Sequence, residues 1–351
     1  MEWRQNIQPA PVVTWPRLFL SLFPEVLSAV FRCLVGRYEP PVEGWSLRTA
    51  LAVRYLALAT DNERNTTRQL LGTTAAIVNL RLRDSTTEVN GDGFRGVWFG
   101  NAQKGNHPIV LYCHGGGYTL CSARSYLSGI SDIRKTLAKD YGLDVRVFSL
   151  DYTLAPEARY PTQINEAIAA YTFLATNFPT HPIVLMGDSA GGNLVLALTL
   201  SLKAKDVRPP AGAVLISPWS NPNVSDFAPS YTQAITTDYV HVKPLLRHMD
   251  AYLPLDATDA IFKDPLVAPV HGDFAGCCPM LLHYGGKEAF FDDCAQLATV
   301  LKQQEVPLTV EIEPLAPHIS PILGTLFGEM SMRGVRAIAA FVATTATEAA
   351  Q

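Results

Sequence analysis

A serine set between glycines is the residue in this chain best placed to do covalent chemistry. Gly187-Asp188-Ser189-Ala190-Gly191-Gly192 follows the short apolar run Ile183-Val184-Leu185-Met186 and precedes a run of good helix formers from Asn193 to Leu200. Strand, tight turn and helix form the context in which G-x-S-x-G presents a nucleophile. Glycines flank the serine because the turn is strained and strand and helix approach closely. The helix N-terminus favours negative charge beside the hydroxyl. A second stretch, His114-Gly115-Gly116-Gly117-Tyr118, follows the apolar run Pro108-Ile109-Val110-Leu111-Tyr112-Cys113. Three consecutive glycines let backbone N–H groups point into a shared cavity, where they can stabilise an oxyanion. His114 itself reads as a residue that pins this loop, not as a proton carrier.

Elements that must hold these two stretches follow from the pattern of the chain. Apolar runs at 108–113, 145–150, 183–187, 214–217, 280–284 and 308–312 read as strands, several buried on both faces. Amphipathic helices are expected at 163–178 and 332–347. This alternation predicts an α/β fold with a mostly parallel central sheet, helices on both faces and a helical cap. Residues 77–83 and 94–99 are read as strands joined by Asn90-Gly91-Asp92-Gly93. Residues 45–72 are read as helical, with Leu51, Tyr55 and Leu58 on one face. Over 15–35, Phe19, Leu22, Phe23, Val26, Leu27, Val30 and Phe31 recur at helical spacing, with Pro24 expected to interrupt the helix. That stripe is expected to pack on the globule; the alternative is a mobile lid or peripheral membrane contact through 15–35. Arg17, Glu25 and Arg32 keep the run too polar for a membrane span.

Composition narrows the class. The 351 residues are 48% hydrophobic and 17% charged, which is globular, and a net charge of −4 gives no reason to expect nucleic acid. The six cysteines are scattered, without zinc spacing, and read as buried thiols of a reducing compartment, so a cytoplasmic location is expected. Met1 to Asn6 lacks the pattern of a secretory signal, which leaves the sequons at Asn65 and Asn223 without meaning.

Together, His114-Gly115-Gly116-Gly117, Asp151-Tyr152 with Leu154-Ala155-Pro156-Glu157, Gly187-Asp188-Ser189-Ala190-Gly191-Gly192-Asn193 and Ser217-Pro218-Trp219 resemble the hormone-sensitive-lipase-like (family IV) branch of the α/β-hydrolase carboxylesterases. The likeness runs from about residue 95 to the C-terminus; Thr153 departs from it, standing where Arg is common. The resemblance implies a triad in the chain order Ser, acid, His. Its acid motif, laid on Gly285-Gly286-Lys287-Glu288-Ala289-Phe290-Phe291-Asp292-Asp293, places Glu288 as the acid and Asp292 as a supporting residue, with Asp292 and Asp293 as alternatives. His318, the one histidine beyond that turn, becomes the base. Backbone amides of Gly116 and Gly117 carry over as an oxyanion hole, joined by Ala190. The histidines at 107, 181, 241, 248, 271 and 283 read as surface or packing residues.

The resemblance implies hydrolysis of a carboxylic ester through an acyl-enzyme, with no metal or organic cofactor. Acyl transfer, lactone opening, lyase chemistry, a formamidase-type amide hydrolysis and a non-catalytic receptor are the alternatives. The cap is assigned to residues 1–75 and 219–262, with 76–351 as the catalytic domain. Tyr118, Trp219, Phe227 and Tyr231, with Tyr239, are taken as the lining for a hydrophobic small-molecule ester. The aromatic N-terminal segment is similar to fungal members that process secondary metabolites. Monomer and dimer both stay open on this reading.

Overall fold

The computed structural model describes residues 2–5, 7–12, 15–80, 82, 85–100, 107–205, 207–223 and 227–349. Among the described residues, four helices come first: α1 (Glu2–Gln5), α2 (Trp15–Leu34), α3 (Leu47–Thr60) and α4 (Arg64–Asn79). The helical stretch read over 45–72 is therefore two helices. Asp61-Asn62-Glu63 separates them, with the Glu63 carboxylate capping α4 by accepting the Thr66 N–H at 3.1 Å. Ile77 and Val78, read as the start of a strand, instead continue α4. Their β-branched side chains mimic strand composition, but they line a cavity from a helix. The rest of that expected strand falls partly on residues 81 and 83, outside the described residues.

The strand that pairs across the Asn90–Gly93 turn is β1 (Thr86–Gly91), antiparallel to β2 (Phe94–Phe99). The chain then alternates: β3 (Ile109–Cys113), α5 (Leu127–Tyr141), β4 (Arg146–Leu150), α6 (Thr162–Asn177), β5 (Ile183–Asp188), α7 (Ala190–Lys203) and β6 (Gly212–Ile216). A long connection carries α8 (Ser230–Gln233) and α9 (Val242–Tyr252) before β7 (Met280–Gly285), α10 (Phe291–Gln303), β8 (Leu308–Glu313) and α11 (Glu329–Glu348). The eight strands form one sheet in the order β1-β2-β4-β3-β5-β6-β7-β8. It is antiparallel through β1, β2 and β4 and parallel from β4 to β8. Every residue of β3, β5, β6 and β7 is buried, as a sheet covered on both faces requires. In a parallel sheet the loops after the carboxyl ends of the strands gather on one edge. That edge carries the loops following β3, β5 and β7, and so brings Gly116, Ser189 and Glu288 together.

Helix α2 departs from expectation in two ways. It runs through Pro24, on an exposed stretch where water can satisfy the carbonyl that loses its N–H partner. Its apolar stripe faces outward: Phe23, Leu27 and Phe31 are 51, 53 and 64% exposed. The side chains of Phe19 and Leu22 lie outside the described residues. Among the described residues, no helix is long and apolar enough to cross a membrane.

Candidate active site

Ser189 stands at the junction of β5 and α7 with φ 54° and ψ −120°, a conformation side-chain-bearing residues rarely adopt. Local close packing compels it. A Cβ on Gly191 would lie 2.0 Å from the Cys113 carbonyl oxygen, so α7 can press against the end of β3 only through a glycine. The Ser189 N–H donates to the Ile216 carbonyl at 2.9 Å, and its carbonyl accepts the Trp219 N–H at 3.0 Å. The half-buried serine is thereby fixed at the floor of a cavity.

The glycine loop beside it is anchored from below. Buried Asp188 accepts the Gly115 N–H at 2.9 Å and the Tyr112 hydroxyl on the same carboxylate oxygen. Burial pushes the Asp188 carboxyl up to about 6 despite these donors. Gly116 has φ 107°, and a Cβ there would meet the Leu120 carbonyl oxygen at 2.6 Å. His114 is buried, stacked on Tyr152 at 4.2 Å, with Nδ1 2.8 Å from the Gly115 carbonyl oxygen. A carbonyl can only accept, so Nδ1 carries the proton. Burial takes this ring down to about 4, and it is a neutral prop for the loop. From above, Arg68 of α4 donates to the Thr119 carbonyl at 2.7 Å and the Ala155 carbonyl at 3.0 Å while pairing with Glu157. That guanidinium holds the exposed Glu157 carboxyl down to about 2. Thr153 meets Glu166 through both its N–H (2.8 Å) and its hydroxyl (2.6 Å), so the departure from Arg is absorbed locally.

Glu288 and His318, from the loops after β7 and β8, face each other with Oε1 and Nδ1 3.7 Å apart. The other carboxylate oxygen, Oε2, accepts the Ser217 hydroxyl at 2.7 Å and the Gly285 N–H at 2.8 Å. The imidazole is gripped edge-on by Phe290 (4.9 Å) and Tyr239 (5.8 Å). Burial alone would pull His318 down; facing Glu288, with Asp238 and Asp188 beyond it, outweighs burial and raises the ring above its ordinary value. Asp292 and Asp293 point elsewhere, accepting from the Ser230 N–H (2.9 Å) and the Tyr231 hydroxyl (2.6 Å).

Ser189, Gly116, Gly117 and His318 line one cavity of about 1160 Å³. Its outer walls are apolar side chains of α3, α4 and α9, among them Leu51, Leu71 and Leu245. Of the aromatic residues expected to line it, Trp219 and Tyr239 do. Tyr118 does not: it stacks on Tyr252 at 3.9 Å and donates its hydroxyl to Asn193 at 2.6 Å, inside the core. Phe227 packs against Tyr231, and Tyr231 against Phe290, away from the cavity. Aromatic content marked these residues, but the hydroxyl partners of Tyr118 and Tyr231 turn them inward. In their place the wall carries Tyr55 and two histidines read as surface or packing residues, His241 and His248. His248 approaches the Thr119 hydroxyl at 2.6 Å through Nδ1, and burial, with Arg247 and Arg64 nearby, takes it down to about 3. Among the described residues no group of three His, Cys, Asp or Glu is placed to hold a metal ion.

Residues 110–320 match the family model described as alpha/beta hydrolase fold, and the chain belongs to that family. Its structure is similar to a crystal structure of an esterase from the bacterial hormone-sensitive lipase family, with TM-score 0.76 and 26% identity over 86% of this chain and 98% of that one. It is 32% identical to an acetyl-hydrolase of Streptomyces hygroscopicus over 60% of this chain and 67% of that protein. It is 27% identical to the versiconal hemiacetal acetate esterase of Aspergillus parasiticus over 72% of this chain and 80% of that protein. Across the first curated relatives the matched stretch spans 58–67% of their length. These relatives place the chain on the hormone-sensitive-lipase-like branch of the family, among esterases.

Proposed function

We propose that the chain is a carboxylesterase that cleaves an ester of a hydrophobic small molecule through an acyl-enzyme on Ser189. Supporting this above all is the meeting of Ser189 and His318 in one cavity, with the imidazole turned to the Glu288 carboxylate. His318 takes the Ser189 proton as the hydroxyl attacks the acyl carbon, then delivers it to the leaving alcohol. Glu288 orients the ring and stabilises its cationic form. The amides of Gly116, Gly117 and Ala190 receive the negative charge that develops on the carbonyl oxygen. Water then repeats the sequence on the acyl-enzyme.

Cavity size favours a bulky partner, since 1160 Å³ exceeds the usual range of roughly 300–1,000 Å³ for small-molecule sites. Two relatives are named for acetyl or acetate groups, which agrees with a small acyl group carried on a large apolar alcohol. The walls come from helices of the N-terminal 75 residues and from the segment 219–262, which we assign as the cap. Incubation with a fluorophosphonate, peptide mapping and hydrolysis of p-nitrophenyl acetate test this reading. Labelling should fall on Ser189, and Ser189→Ala should lose activity by about 10⁶-fold. Full activity in Ser189→Ala would refute it. An ester product in place of the acid, when an alcohol acceptor competes with water, would redirect it to acyl transfer.

A further inference from the structure

The buried carboxylate of Asp238 has no task in the proposed mechanism. Asp238 follows α8 in the connection between β6 and β7 and is 1% exposed. Its Oδ1 accepts the backbone N–H of His318 at 3.1 Å and of Tyr239 at 2.9 Å, and its Oδ2 accepts that of Ala289 at 2.8 Å. Ala289 is the immediate neighbour of Glu288. The Tyr239 hydroxyl donates to the His318 carbonyl oxygen at 2.9 Å. Two consecutive residues therefore hold both backbone polar groups of His318, and the first also holds the turn bearing Glu288.

Two features separate this arrangement from a simple structural clip. All three donors to Asp238 are neutral amides, and burying a carboxylate against neutral groups is unfavourable compared with a neutral acceptor. Burial indeed pushes its carboxyl up to about 6, while the facing His318 draws it down and Glu288 draws it up. Tyr239, Val240 and His241 also line the cavity. The same short segment that holds His318 thus forms part of the cavity wall.

We propose that Asp238 is a positioning residue which, with Tyr239, clamps His318 to the Glu288 turn and relays occupation of the cavity by a bulky substrate to the placement of the base. This rests on the hydrolase reading of Ser189, Glu288 and His318.

The test uses Asp238→Asn and Tyr239→Phe in the full chain, with rates expressed per fluorophosphonate-labelled site and melting followed separately. Asparagine can keep an oxygen toward His318 only by turning its NH₂ against the Ala289 N–H, so the two loops shift apart. Misplacement on this scale lowers kcat by about 10²-fold. We expect that loss with KM for p-nitrophenyl acetate changed less than about threefold. The acid limb of the kcat/KM profile should move to lower pH, because the imidazolium then faces only Glu288 and Asp188. Tyr239→Phe should lower kcat/KM for 1-naphthyl acetate more than for p-nitrophenyl acetate, since both esters pass through the same acetyl-enzyme and differ only up to its formation. Unchanged kcat per labelled site and an unmoved acid limb in Asp238→Asn, with only a lower Tm, would overturn the proposal. If that variant does not fold, Tyr239→Phe decides: a kcat/KM unchanged from wild type for both esters overturns it. A wild-type protein that neither labels nor hydrolyses would instead sink the hydrolase reading, a separate outcome.

Discussion

Replacing Glu288 by glutamine changes one atom and should nearly silence the enzyme. Its Oε2 serves the Gly285 N–H and the Ser217 hydroxyl at 2.8 and 2.7 Å. The amide N–H of Gly285 needs an acceptor, so in the variant the amide oxygen must occupy that position. Its NH₂ is then turned to His318 Nδ1. A donor facing Nδ1 moves the ring proton to Nε2, and a protonated Nε2 cannot accept the Ser189 proton. The reverse orientation sets two buried donors against each other, a penalty of about 1–3 kcal/mol. The charge is lost as well. At the observed 3.7 Å, and with an effective dielectric of about 20, carboxylate and imidazolium attract by about 4–5 kcal/mol, or about three orders of magnitude in rate. With the wrong tautomer added, kcat should fall by about 10³–10⁴-fold, comparable with the analogous change in serine proteases. The assay is p-nitrophenyl acetate hydrolysis per folded protein, with the melting curve as control. Glu288→Gln retaining more than about a tenth of wild-type kcat would refute the reasoning, since about 1.4 kcal/mol cannot contain either effect.

Other expectations follow from the same geometry. Asp292→Asn, whose carboxylate serves the Ser230 N–H and not His318, should keep kcat within a few-fold, measured in the same assay. Gly116→Ala places a Cβ 2.6 Å from the Leu120 carbonyl at a φ of 107°; the loop must shift, and steady-state kinetics should show kcat down about 10²–10³-fold with KM little changed. His318 must be neutral to act as base, and it lies above its ordinary value of 6.5. Activity is therefore lost as pH falls through that raised value, and the acid limb of kcat/KM should centre above 6.5; a limb below it contradicts the facing carboxylates.

Legibility of the chain tracked the range of the signal. The turn at Ser189 and the loop at Gly116 are dictated by glycines adjacent in sequence, so their geometry could be read locally. The central strands were equally plain, being short apolar runs buried on both faces. Asp238 left no comparable trace. It works through backbone N–H groups 51 and 80 residues away, and a backbone partner has no sequence signature. Tyr118 and Tyr231 were misplaced because composition shows an aromatic ring but not the buried partner of its hydroxyl. Ile77-Val78 and the stripe of α2 failed for a related reason. Periodicity identifies an apolar face without saying whether core, cavity or solvent lies opposite it.

The backbone of Ser189 carries a consequence for the history of such a chain. Its φ of 54° and ψ of −120° cost on the order of 1–3 kcal/mol for a residue with a side chain, and almost nothing for glycine. By backbone strain alone the fold would thus be more stable with glycine in place of Ser189, the nucleophile of the proposed mechanism. A lineage released from hydrolysis would drift toward Ser189→Gly under selection for stability alone, with no compensating change elsewhere. Serine at this position is consequently less stable than glycine, and on the proposed mechanism it is kept in place only while its hydroxyl is in use.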